Sequence, residues 1–224
     1  MSDQPADLDC IERGADKPSA SIIWLHGLGA DGYDFVPIVE ELGLPESLAI
    51  RFVFPHADRR PVTLNQGMVM RAWYDIRSLS LEDRSHDERG ILRSAAQVKA
   101  LIDRECARGV ASERIVVAGF SQGGALALHT ALRYRQRLAG LIGLSCYVVL
   151  AGSLEREAAE VNAGLPVFLG HGTFDPIVPV GAGELTRNLL TERGHRVEWH
   201  TYPVPHGVHP DEIAAVGRWL RTVL

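Results

Sequence analysis

Residues 115–124 read IVVAGFSQGG, and this stretch decides the fold. A short apolar run enters a serine set among glycines, and the Ala/Leu-rich segment 122–134 (QGGALALHTALRY) follows at once. An apolar run of this length bounded by glycine reads as a buried strand, and the segment after it reads as a helix. The pattern is strand, tight turn, helix, with Ser121 at the turn inside Gly119-Phe120-Ser121-Gln122-Gly123. G-x-S-x-G alone is a weak signal, but in this setting each position has a purpose. A serine at a sharp strand-to-helix turn projects its hydroxyl beyond the end of the sheet. Gly119 and Gly123 remove side chains that would collide there. The helix N-terminus supplies free N–H groups that favour developing negative charge. Ser121 is the candidate nucleophile.

The flanking sequence repeats the alternation. Residues 21–26 (SIIWLH), 49–54 (AIRFVF, stopped by Pro55), 138–144 (LAGLIGL) and 165–170 (LPVFLG) read as further buried strands. The more polar 197–202 (VEWHTY) reads as a strand nearer an edge. Ile91, Ala95, Val98, Ile102 and Cys106 form one helical stripe, and 182–193 and 210–223 are further helices. Asp211 and Glu212 suit the positive end of the last one. Strands separated by helices imply right-handed crossovers and a mostly parallel, doubly wound sheet flanked by helices, the α/β-hydrolase arrangement. With no linker or repeat, the 224 residues are expected to form one domain, 1–224, without a cap domain.

Composition excludes several functions. The net charge of −5 and the lack of a Lys/Arg run argue against nucleic acid. No stretch approaches the roughly 18 apolar residues of a membrane span, and the polar N-terminus MSDQPADLDC lacks the features of a secretory leader. Cys10, Cys106 and Cys146 form neither a disulfide framework nor a zinc pattern. A cytoplasmic protein with reduced thiols is the expectation.

A serine hydroxyl needs a base that is itself held in place. In this fold the partners follow in the order Asp or Glu, then His, each in a loop after a strand. Asp175 lies in 171–176 (HGTFDP), just beyond the 165–170 strand, and His206 lies in 203–207 (PVPHG), just beyond the 197–202 strand. His206 and His209 together suggest a metal pair, but no third and fourth ligand accompanies them, so no metal is expected. Residues 27–32 (GLGADG) satisfy G-x-G-x-x-G, yet the acidic residue a dinucleotide site needs about 20 positions on is missing from 49–55. The alternative is an oxyanion loop, with the N–H groups of Leu28 and Gln122 as donors. No cofactor is then required.

The chain resembles the small bacterial carboxylesterases that group with acyl-protein thioesterases and lysophospholipases. The resemblance rests on HGLGADGYDF at 26–35, FPHADRRPVT at 54–63, MRAWYDI at 70–76, GFSQGG at 119–124, HGTFDPIVP at 171–179 and PHGVHPDEI at 205–213. It implies Ser121, Asp175 and His206 as the triad, Leu28 and Gln122 as backbone donors, and Trp73-Tyr74-Asp75 as a segment shaping the site. Gly207 stands where such proteins often carry serine, and His56 and Asp58 also depart from the usual residues. The resemblance implies hydrolysis of esters or thioesters, and an open, uncapped groove would admit short and medium acyl chains. Acyl-protein thioesterase or lysophospholipase action is the alternative, and a hydrolase-fold binding protein without turnover is a distant third. The expected partner is a small ester or thioester, or an acylated protein, and a homodimer is compatible with all of these.

Two loop-sized stretches, 61–87 and 147–164, are the longest candidate coverings of the serine. Met68, Met70 and Trp73 are expected to form one apolar wall of an open groove, with Ile177, Val178 and Val208 on another side.

Overall fold

The computed structural model describes residues 8–78 and 86–224. The polar stretch 1–7 and the 79–85 portion of the expected covering segment lie outside the described residues.

In chain order the strands are β1 (Cys10–Gly14), β2 (Ala20–Leu25), β3 (Ile50–Pro55), β4 (Arg59–Val62), β5 (Met68–Arg71), β6 (Ile115–Phe120), β7 (Gly140–Leu144), β8 (Pro166–Gly172) and β9 (Arg196–Tyr202). The α-helices are α1 (Ile38–Glu41), α2 (Glu88–Ala107), α3 (Gln122–Ala131), α4 (Leu154–Glu157), α5 (Val180–Glu192) and α6 (Pro210–Val223). Seven strands form one sheet in the order β1-β3-β2-β6-β7-β8-β9. Within it β1 is antiparallel to β3, and every other pairing is parallel. This is the mostly parallel, helix-flanked sheet of an α/β-hydrolase.

The sequence of β6 explains its central place. Its side chains alternate between two cores, so both faces must be apolar. Val117 packs on one face with Ile23, Leu25, Val98, Ile102 and Leu126, which brings in α2 and α3. Val116 and Ala118 pack on the other face with Ile22, Trp24, Phe52 and Trp219, which brings in α6. The α2 stripe is buried at Ile91, Ala95, Val98 and Ile102, and Asp87 caps that helix by accepting from the Gly90 N–H at 3.0 Å. Among the described residues β9 pairs only with β8 and is an edge strand, as its polar composition predicts.

Three features were not legible from pattern. β1 is short and largely exposed, so it carries no periodic signal. Arg51 is buried within β3, where its Nη1 donates to Glu105 Oε2 at 3.1 Å and Ser21 Oγ donates to the same oxygen at 2.6 Å. A buried charge is tolerable when paired in this way. The stretch 61–87, expected to be loop-like, contains part of the separate hairpin β4–β5, in which Pro61 faces Val69 and Val62 faces Met68. Gln66 and Gly67 turn the hairpin with φ of 56° and 79°.

Candidate active site

Ser121 sits between β6 and α3 with φ 53° and ψ −120°, a conformation that non-glycine residues rarely adopt. Its N–H donates to the Leu144 carbonyl at 2.8 Å, tying the turn to the end of β7. The two glycines are sterically required. A Cβ on Gly119 would overlap the Gly123 carbonyl and lie 2.6 Å from Gly124 N, and one on Gly123 would overlap the carbonyl oxygens of Leu25 and His26.

Asp175 follows β8, and its carboxylate is fully buried. Oδ1 accepts from the N–H groups of Ile177 and Val178, both at 2.8 Å, which fixes the carboxylate. Oδ2 lies 2.6 Å from His206 Nδ1. His171 Nε2 is 3.7 Å from the same oxygen and 2.8 Å from the Val178 carbonyl. Burial pushes His171 down from its ordinary value, so it stays neutral and donates to that carbonyl. His206 follows β9. Its Nε2 lies 2.8 Å from Ser121 Oγ, and its ring packs on Phe120 at 4.8 Å. With Nδ1–H given to Asp175, Nε2 is the bare nitrogen that faces the serine hydroxyl.

His209 lies apart from this chain of bonds. It is the N-cap of α6: its Nδ1 accepts from the Asp211 N–H at 3.1 Å, and its own N–H donates to Glu212 Oε2 at 3.2 Å. Among the described residues no group of three or more His, Cys, Asp or Glu is placed to hold a metal ion.

The loop after β2 turns toward the serine, and a Cβ on Gly27 would come within 3.7 Å of Ser121 Cβ. Leu28 and Gln122 both line the cavity beside Ser121, and neither N–H has a backbone or side-chain acceptor among the described residues. The Gln122 side chain is itself fixed: Oε1 accepts from the Trp73 N–H at 2.9 Å, and Nε2 donates to the Tyr74 carbonyl at 2.8 Å.

The cavity at Ser121 has a volume of about 320 Å³, near the lower end of the range of about 300–1,000 Å³ for small-ligand sites. Ile177 and Val178 line it. Trp73, Met68, Met70 and Val208 do not. Trp73 is 1% exposed and donates from Nε1 to the His26 carbonyl at 2.9 Å, so its indole belongs to the core beneath the site. Met68 projects into solvent from the hairpin, Met70 Sδ approaches Gly29, and Val208 packs against the opposite core. The apolar walls come instead from Leu64, Tyr74, Ile76, Phe120 and Tyr147. Burial raises the phenols of Tyr74 and Tyr147, which stay protonated. Asp34 also lines the cavity, its carboxyl raised by burial and by Asp31. A larger, more open depression of about 610 Å³, with Arg137, Pro166, Arg196 and Trp219 in its lining, lies at the opposite ends of the strands.

The residues that depart from the family pattern lie outside the cavity lining. His56 Nδ1 accepts from the Gly32 N–H at 3.0 Å, and Asp58 Oδ2 accepts from Arg93 and Gln97 at 3.3 and 3.2 Å. Gly207 faces open space, so a serine there would fit.

The sequence profile of the phospholipase/carboxylesterase family matches residues 6–224. Acyl-protein thioesterase 1 of Neurospora crassa is 39% identical over 212 residues, which is 91% of this chain and 86% of that protein. The crystal structure of Arabidopsis thaliana SOBER1 superposes with a TM-score of 0.86 at 33% identity, covering 91% of this chain and 98% of that one. Acyl-protein thioesterase 2 of Zea mays does so with a TM-score of 0.85 at 31% identity, covering 96% and 98%. The chain belongs to the phospholipase/carboxylesterase family of α/β-hydrolases and, as its family and relatives require, is an ester-hydrolysing enzyme of the serine-hydrolase type.

Proposed function

We propose that the enzyme is a carboxylesterase that cleaves short- to medium-chain carboxylic esters, and thioesters, through an acyl-enzyme on Ser121. The observation that carries this reading is the unbroken chain Ser121 Oγ, His206 Nε2 and Nδ1, Asp175 Oδ2, with links of 2.8 and 2.6 Å. His206 takes the hydroxyl proton as Ser121 attacks the acyl carbonyl, and Asp175 stabilises the imidazolium. The N–H groups of Leu28 and Gln122 receive the oxyanion. His206 then protonates the departing alcohol or thiol, and water releases the acid by the same steps. The reading takes the chain as one domain without a helical cap, acting in the cytoplasm and needing no cofactor. It leaves room for a homodimer.

The test is chemical. A fluorophosphonate should label Ser121 alone, and Ser121→Ala should lose about 10⁶ in kcat while remaining folded. Labelling elsewhere, or an active Ser121→Ala protein, would refute the assignment. A second reading, hydrolysis of acyl-protein thioesters, is favoured by the acyl-protein thioesterases among the relatives. Lysophospholipid hydrolysis is favoured by membership of a family that takes in phospholipases. Matched rates on a soluble ester, a thioester, a lysophospholipid and an acylated peptide would separate the three.

A further inference from the structure

His26 is buried next to the site, and nothing in the triad explains it. Its two ring nitrogens have partners of fixed polarity. The Ala57 N–H, which can only donate, meets Nε2 at 3.1 Å. The Gly27 carbonyl, which can only accept, lies 2.7 Å from Nδ1. Both contacts demand the same tautomer, with the proton on Nδ1 and Nε2 bare. Burial pushes His26 down to about 4, so the ring is neutral at the pH where such enzymes work.

The partner of Nδ1–H is the carbonyl of the peptide that joins Gly27 to Leu28. The N–H at the other end of that peptide belongs to Leu28, which lines the cavity, and it has no partner among the described residues. We propose that His26 is a positioning residue for the oxyanion hole, orienting and polarising the Gly27–Leu28 peptide through its Nδ1–H. The inference rests on the reading of Leu28 as an oxyanion donor. A hydrogen bond to a peptide oxygen makes the N–H of the same peptide a stronger donor. A preorganised donor aimed at developing charge contributes most in the transition state. The neighbouring peptide is held as well, since Trp73 Nε1–H donates to the His26 carbonyl, and the Gln122 side chain grips the Trp73 backbone. Thus the two donors, Leu28 N–H and Gln122 N–H, are joined through Trp73. The Ala30 N–H also reaches the Gly27 oxygen, at 3.3 Å, and closes the turn.

Two isosteric changes separate the ring's two bonds. In His26→Asn the amide nitrogen takes the place of Nδ1 and keeps the donor to Gly27. In His26→Gln the longer amide reaches the position of Nε2 and keeps an acceptor for Ala57 only. On a soluble ester, His26→Asn should hold kcat within about 10-fold. His26→Gln should lose about 10²–10³ in kcat with KM little changed, the scale of a lost oxyanion donor. Inhibition by a trifluoromethyl ketone, which forms an oxyanion on Ser121, should weaken in step with kcat. A folded His26→Gln protein with parental kcat, or equal losses in both variants, would overturn the proposal. The tautomer is read on the parent by ¹⁵N NMR of the His26 ring, which does not depend on any variant folding. Protonation at Nε2 there would overturn the proposal too. If fluorophosphonate fails to label Ser121 in the parent, the hydrolytic reading falls instead, and the two failures are distinguishable.

Discussion

The side-chain amide of Gln122 is bonded to the backbone of Trp73, 49 residues earlier, so the residue after the nucleophile also anchors the floor of the site. Both halves of the amide are used, since Nε2 meets the Tyr74 carbonyl. Gln122→Glu should therefore be costly, because a carboxylate replaces the donor opposite that carbonyl in a site that is 3% exposed. The expected loss is about 2–3 kcal/mol of unfolding free energy, measured in urea at neutral pH. Stability equal to the parent would show that the amide bonds contribute nothing.

The two neighbouring histidines should separate cleanly. His206→Ala should lower kcat by about 10⁶, as expected when the base of a triad is removed. His209→Ala should keep kcat within a few-fold and lose about 1 kcal/mol of stability, because the side chain caps α6. EDTA should leave turnover unchanged. A larger kinetic loss in His209→Ala would reverse the assignment.

Glu212 gives stability an unusual pH dependence. It is fully buried, Oε2 accepts from the His209 N–H, and Oε1 has no partner among the described residues. Burial pushes its carboxyl up to about 7 from an ordinary 4.5. The folded state therefore holds the proton more tightly than the unfolded chain. This contribution is fully present below about pH 4.5 and is lost as pH rises through 7, a change on the order of 3 kcal/mol. Glu212→Gln keeps a capping amide but does not titrate. It should gain stability over the parent at pH 8 and show no such gain at pH 4.5. Using the difference between the two proteins cancels the opposing acid destabilisation expected from His26 and His129, both pushed down to about 4 by burial. An identical difference at both pH values would contradict the account.

Acyl-chain preference should follow the walls that line the cavity. Each added methylene should improve kcat/KM by at most about 0.8 kcal/mol, roughly fourfold, until the space is filled. Ile76→Trp should shorten the preferred chain, since Ile76 lines the cavity. Met68→Ser should leave rates on dissolved esters within about twofold, because Met68 is 64% exposed and outside the lining. Inactivity on every dissolved ester followed by a sharp rise on emulsions would refute an uncapped cavity.

The main sheet and the three loop positions were legible because their signals are local. Ser121, Asp175 and His206 each follow a strand-like run within a few residues, and chain order supplies the rest. The walls were not legible because they are made by long-range packing. Trp73 carries both a large apolar surface and a donor, and the sequence does not say that the donor meets the His26 carbonyl, 47 residues away. Leu64 and Tyr147 come from segments without periodicity. The role of His26 has no sequence signal, since it lies in the polarity of two backbone partners.

The edge position of β9 has a consequence for how the enzyme fails. Ser121 follows β6, deep in the sheet, whereas His206 follows β9, whose only strand partner among the described residues is β8. A slip of one residue along that single seam would carry His206 about 3.3 Å from its place, more than the 2.8 Å that now separates it from Ser121. Turnover thus acts as a gauge of one seam rather than of the whole fold. In rising urea, fraying there should silence the enzyme before far-UV circular dichroism registers unfolding. A fluorophosphonate adduct, which joins Ser121 to a group beside His206, would leave that early change invisible to activity but open to hydrogen exchange on β9.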